Sequence, residues 1–177
     1  MKGVIIYKSK YGSTKKYVEW LMEETGFDAI ETSNAKVHEI KTYDVIVLCG
    51  GIYATGIAGI SFLQKNIKAL QDKKIFVFCD GASPYDEDAF AEIKNHNMKD
   101  ALKNIPCFYG RGGWNLEAMS FIDRNMCKML RKSVLKKNPN ELAVWEKALV
   151  SAGDETCDWT DKKFLKPMLE EINKLKV

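Results

Sequence analysis

Nothing in this 177-residue chain approaches the ~18 consecutive apolar residues that a membrane-spanning helix needs. Met1 and Lys2 lead straight into a strand-like run, with no apolar leader and no small-residue cleavage site, so a cytoplasmic protein is expected. Histidine is almost absent: His38 and His96 stand alone, and both are read as surface residues and not as catalysts. The five cysteines (Cys49, Cys79, Cys107, Cys127 and Cys157) are odd in number and include no C-x-x-C pair. That argues against a disulfide framework and against a thiolate metal site. The first three lie near the ends of expected strands and read as small apolar core residues. Neither G-x-G-x-x-G nor G-x-x-x-x-G-K-[ST] occurs, which removes support for a dinucleotide fingerprint and for a P-loop. Charge is also modest: 27 basic against 24 acidic residues, net +3. A hydrophobic share of 46% and a charged share of 29% are globular values. The length suits one domain, residues 1–177.

What is present begins at Tyr7-Lys8-Ser9-Lys10-Tyr11-Gly12-Ser13-Thr14. An apolar run, Gly3–Ile6, precedes it and a helical pattern, Lys15–Glu24, follows. A strand, a hydroxyl-rich turn and a helix N-terminus together suit a phosphate. The first N–H groups of a helix are unpaired and carry partial positive charge. Ser9, Ser13 and Thr14 offer hydroxyls, and Gly12 permits close approach of the backbone. The plainer reading is an ordinary strand–turn–helix with a Ser/Thr cap. The pattern Ile5-Ile6-Tyr7-x-Ser9-x-x-Gly12-x-Thr14 resembles the FMN-phosphate loop of flavodoxin-like proteins.

Five strands are expected: Val4–Tyr7, Phe27–Thr32, Asp44–Cys49, Lys74–Cys79 and Ile105–Tyr109. The third and fourth are continuous apolar runs, the mark of strands buried on both faces of a parallel sheet. Helical patterns alternate with them: Tyr17, Val18, Leu21 and Met22, ending at Gly26; Phe62, Leu63, Ile67 and Leu70; then Phe90, Ile93, Ala101 and Leu102. The fold class is therefore α/β: a doubly wound five-stranded parallel sheet of flavodoxin-like type, order 2-1-3-4-5, with a helical insertion after the fifth strand.

In such a sheet ligands bind beyond the carboxyl ends of the strands, where the strand order switches. Three loops converge there. The first is Ser9, Lys10, Tyr11, Gly12, Ser13 and Thr14. The second carries Gly51, Ile52, Tyr53 and Ala54, and the third carries Asp80, Gly81, Ala82 and Ser83, followed by Tyr85. Glycine lets backbone groups reach a flat ring edge, and Tyr53 or Tyr85 could stack on its face. Singly these are ordinary turns with exposed tyrosines. Together they form an expected FMN site, in which the protein orients and tunes the isoalloxazine.

A minimal protein of this class would close with one more helix, but about fifty residues (111–158) intervene here. Leu116, Met119, Ile122, Met126, Met129, Leu130 and Val134 recur with helical period, with Arg124, Lys128, Arg131, Lys132 and Lys136 on the opposite stripe, so a basic amphipathic helix is expected. Three readings stay open: a helix packed on the sheet, a helix lying on an anionic membrane surface, and a wall for a large acidic substrate. Arg111, Arg124, Lys128 and Arg131 are the candidate substrate or membrane contacts. Phe121–Leu130, with Asp123-Arg124-x-Met126-x-Lys128, is similar to a segment of the menaquinone-dependent protoporphyrinogen oxidase group of flavodoxin-domain proteins. Gly153-Asp154-Glu155-Thr156 and Trp159-Thr160-Asp161 resemble that group's turns before the last helix. The group is richer in Arg and Tyr where this chain has Gly112-Gly113-Trp114-Asn115; if those residues contact porphyrin or membrane, the substrate differs, and the match supports membership of the group more than it supports the named reaction.

The resemblance implies an FMN-dependent oxidoreductase with a quinone or a redox protein as acceptor and no nucleic-acid partner. It also allows peripheral contact with the inner face of the membrane. A non-enzymatic electron carrier and a cofactor-free interaction module are the alternatives. For the tail, Thr160 is the expected N-cap, with a helix starting near Leu165 so that Pro167 falls in its first turn.

Overall fold

The computed structural model describes residues 1–175. The parallel strands are β1 (Gly3–Lys8), β2 (Asp28–Glu31), β3 (Val45–Tyr53), β5 (Lys74–Gly81) and β6 (Cys107–Arg111), and the short β4 (Gly56–Ile57) turns back antiparallel on the end of β3. Their order, β2-β1-β3-β5-β6, is the expected 2-1-3-4-5 path with one two-residue strand added beside it. Register runs Val4 beside Asp28, Gly3 beside Val45, Val45 beside Lys74 and Val77 beside Cys107.

Side-chain alternation along the strands feeds two cores. Ile5, Val45, Val47, Cys49, Phe76 and Phe78 face α1 (Ser13–Thr25) and α7 (Lys166–Lys174), meeting Tyr17, Val18, Leu21, Met168 and Ile172. Val4, Ile6, Ile46, Leu48, Val77 and Cys79 face the other layer. There α2 (Val37–Ile40) contributes Ile40, α3 (Ile60–Asn66) contributes Leu63, and α4 (Glu87–Asn97) contributes Phe90. β3 and β5 are buried through their centres because helices cover both faces.

Gly26 ends α1 in the left-handed conformation, with its N–H donating to the Met22 carbonyl. Met22 itself is exposed. α4 stops at Asn97, and Ala101 and Leu102 belong to a separate 3-10 turn, Asp100–Leu102. Pro167 does lie in the first turn of α7. Thr160 is not its cap. A 3-10 turn, Lys162–Leu165, precedes α7, and Asp161 caps that turn by accepting from the Lys163 N–H. All five cysteines are free, with Cys49 and Cys79 buried, and both histidines are exposed.

The insertion holds more than one helix. β7 (Gly113–Trp114) pairs antiparallel with β8 (Cys157–Asp158), bringing the two ends of the insertion together. Between them run α5 (Phe121–Val134) and α6 (Val144–Ala152). They enclose a third core of Trp114, Leu116, Val134, Leu149 and Ala152, and the Trp114 indole N–H donates to the Gly153 carbonyl at 3.1 Å. Sequence periodicity gives the stripe on α5 but not its direction, and the structure turns it outward. Ile122, Met126, Met129 and Leu130 face solvent, while Cys127 and Val134 face inward beside Asp123, Arg124 and Arg131. Polar ties at both ends of the helix set that orientation: Asp123 reaches Lys10 and Tyr11, and Arg131 reaches Asp154.

Candidate functional site

The carboxyl ends of β1, β3 and β5 lie side by side, and the loop after each strand is one of the three expected from sequence. Gly12 is the N-cap of α1 at φ +99°, a conformation that side-chain-bearing residues rarely adopt. Its N–H and that of Lys15 both donate to the Ser9 hydroxyl at 3.2 Å. Of the four N–H groups that a helix start leaves without intrahelical partners, those of Ser13 and Thr14 remain. Among the described residues no acceptor is assigned to either.

The three loop hydroxyls behave differently. The Ser9 oxygen accepts two N–H bonds, and the Ser13 oxygen accepts the Gly113 N–H at 2.9 Å, so each keeps its own hydrogen to give. Thr14 is buried, and its hydroxyl donates to the Asp80 carboxylate at 2.6 Å. Its hydroxyl therefore supports the loop from beneath, which leaves its N–H as the group of Thr14 without an assigned acceptor among the described residues. Asp80 is buried too, and burial pushes its carboxyl up to about 6 against the opposing pull of the Thr14 bond. A cavity-filling Cβ on Gly112 would stand 2.8 Å from the Asp80 carboxylate, so the start of the insertion packs directly on this pair.

The second loop is a tight hairpin. Tyr53 pairs with Gly56, and Ala54 at its tip takes φ +56°. Asn97, buried at the end of α4, holds that hairpin: its amide accepts from the Ile57 N–H at 2.9 Å and donates to the Thr55 carbonyl at 2.7 Å. The Tyr53 ring lies edge-on to Tyr11, centroids 6.1 Å apart, with the Lys10 ammonium 5.6 Å from it. Burial pushes the Tyr53 hydroxyl up to about 12. In the third loop the Tyr109 hydroxyl donates to the Ser83 carbonyl at 2.7 Å, and the Arg111 guanidinium donates to the Ala82 carbonyl at 3.1 Å while stacking on Trp159 at 3.9 Å. Tyr85 packs on Phe90 and Tyr109, away from Tyr53.

The first turn of α5 closes over the first loop. The Asp123 carboxylate receives both the Lys10 ammonium and the Tyr11 hydroxyl, and these contacts hold it below the usual carboxylate range. Of the other insertion candidates, Arg124 donates to the Glu117 and Met119 carbonyls, Arg131 pairs with Asp154, and Lys128 stays exposed. Asn97, Tyr109 and Asp123 are the site residues that sequence reasoning missed. Asp123 had two signals: it opens the Asp123-Arg124-x-Met126-x-Lys128 pattern, and it is the sole acidic residue between positions 118 and 140.

A family model described as the flavodoxin domain matches residues 4–141, from β1 through α5. The chain belongs to the flavodoxin domain family. No curated protein matches it. Solved structures similar to this flavodoxin-domain chain include a WrbA-like flavodoxin from Agrobacterium tumefaciens, at 16% identity and a TM-score of 0.49, covering 70% of this chain and 87% of that one. A flavodoxin from the domain Archaea is 15% identical with a TM-score of 0.42, covering 73% and 92%. A Lactobacillus acidophilus flavoprotein in complex with FMN is 15% identical with a TM-score of 0.41, covering 62% and 91%.

Proposed function

We propose that this flavodoxin-domain protein binds FMN across its three loops and acts as an oxidoreductase, taking electrons from a reduced organic substrate and passing them to a quinone or a redox protein. One observation carries the reading. The Ser13 and Thr14 N–H groups stand at the positive end of a 13-residue helix, at the switch between β1 and its two neighbours. The residues fit the group. Those two N–H groups and the Ser9 and Ser13 hydroxyls would hold the phosphate, and Tyr53 would flank the ring from the second loop. When bound, FMN supplies reversible electron-pair chemistry at its isoalloxazine.

The chain's own part is to bind, orient and screen. Lys10 belongs to the first loop, where its ammonium pairs with Asp123 and ties α5 to the turn. Gly81 and Ala82, held by Tyr109 and Arg111, present backbone to the ring edge. Asp80 titrates nearer neutrality than an ordinary carboxyl, but it is buried behind Thr14 and serves as a prop, with no route to a reacting atom.

The finer reading is a protoporphyrinogen oxidase-like activity with a quinone acceptor. It is supported by the resemblance of Phe121–Leu130 and of residues 153–161; Arg131, the residue that follows the first segment, pairs with Asp154 in the second. It is tested by mixing FMN-loaded protein anaerobically with protoporphyrinogen and a menaquinone analogue. Porphyrin formation tied to quinone reduction is expected. Exchange of single electrons with a ferredoxin reductase, and no quinone reaction, would instead establish a carrier.

A further inference from the structure

We propose that the outer face of α5 is a docking surface for an anionic lipid bilayer. Phe121, Ile122, Met126, Met129 and Leu130 are between 46% and 79% exposed, an unusual display of large apolar side chains on one helix. At 100° per residue, Ile122, Met126, Met129 and Leu130 fall on one continuous arc. Lys128 and Lys132 fall on the arc beside it, Lys136 follows just past the end of the helix, and all three are exposed. An apolar arc bordered by lysines is the layout of a helix lying in a membrane interface, with methylene stems among the acyl chains and ammonium groups at the phosphates.

Charge selects the occupant. Of the six basic residues between positions 118 and 140, Arg124 and Arg131 turn inward and Lys137 pairs with Glu146, which leaves Lys128, Lys132 and Lys136 exposed against one acidic residue, Asp123. That carboxylate is turned inward to Lys10 and Tyr11, so the outer face carries no negative group from α5. A two-fold contact of this helix with a second copy would set lysine arcs against each other with no acidic counterpart on the helix. Anionic headgroups supply the missing counter-charge. Among the described residues no helix is long and apolar enough to cross a membrane, so the contact is a surface one. The surface does not rest on the flavin reading, because none of these side chains belongs to the three loops.

The test is sedimentation of the full chain with vesicles, measured with and without FMN. Partition onto vesicles containing about 30% phosphatidylglycerol should exceed that onto pure phosphatidylcholine by roughly tenfold or more, and should fall as salt rises. Met126→Glu with Met129→Glu, and separately Lys132→Glu with Lys136→Glu, should each remove most of it, with circular dichroism unchanged at these exposed positions. Equal partition onto neutral vesicles overturns the proposal. So does a chain that ignores vesicles, including one that forms a dimer in solution which Met129→Glu dissolves.

Discussion

Thr14 and Asp80 form a buried pair, with the threonine hydroxyl donating to the carboxylate at 2.6 Å under the first turn of α1. Asp80 is raised from 3.8 to about 6, chiefly by burial. A raised acid holds a proton in the fold that the unfolded chain has already released. Its contribution to stability is therefore fully present below pH 3.8 and is lost as pH climbs through about 6. That span corresponds to about 3 kcal/mol. Asp80→Asn keeps an acceptor for Thr14 and cannot ionise. Thermal melts should show the variant more stable than wild type at pH 8 and level with it near pH 4. Parallel profiles would remove the assignment.

Gly12 sits at φ +99° with open space where a Cβ would project, so the cost of a side chain there is conformational and not steric. Gly12→Ala should cost about 1–2 kcal/mol in urea unfolding. It should also weaken FMN by about tenfold in a fluorescence titration, because the same backbone turn presents the Ser13 and Thr14 N–H groups. Full FMN affinity together with lost stability would separate the loop from the ligand.

Asn97 is the peg under the second loop. Asn97→Ala would leave the Thr55 carbonyl and the Ile57 N–H without their partner, costing roughly 2–3 kcal/mol. Hydrogen exchange should rise at Ile57 and Ala58 more than in β1 or β5. A uniform rise across the sheet would mean that Asn97 serves the core and not the hairpin.

Much of this was legible in the residues. β3 and β5 declare themselves as unbroken apolar runs, Gly26 marks the end of α1, and Pro167 fixes the start of α7. What was not legible depends on contacts distant in the chain. The outward turn of α5 follows from Asp123 reaching back more than a hundred residues to Lys10 and Tyr11, which no helical period encodes. β7 and β8 are two residues each and exist only because the ends of the insertion meet. α6, Val144–Ala152, is one short helix whose pattern is too brief to stand out. Thr14 looked like a phosphate donor because its spacing suits one. Its burial against Asp80, 66 positions away, gives its hydroxyl a different partner.

The account depends on a phosphate held by the N-terminal turn. The direct measurement is a calorimetric titration of the flavin-free protein with FMN and, in parallel, with riboflavin, which has the same ring and no phosphate. FMN should bind at least about a hundredfold more tightly, the scale of about 2.7 kcal/mol expected when several N–H bonds to a charged group are lost. Equal affinity for the two, or no heat with either, would contradict it.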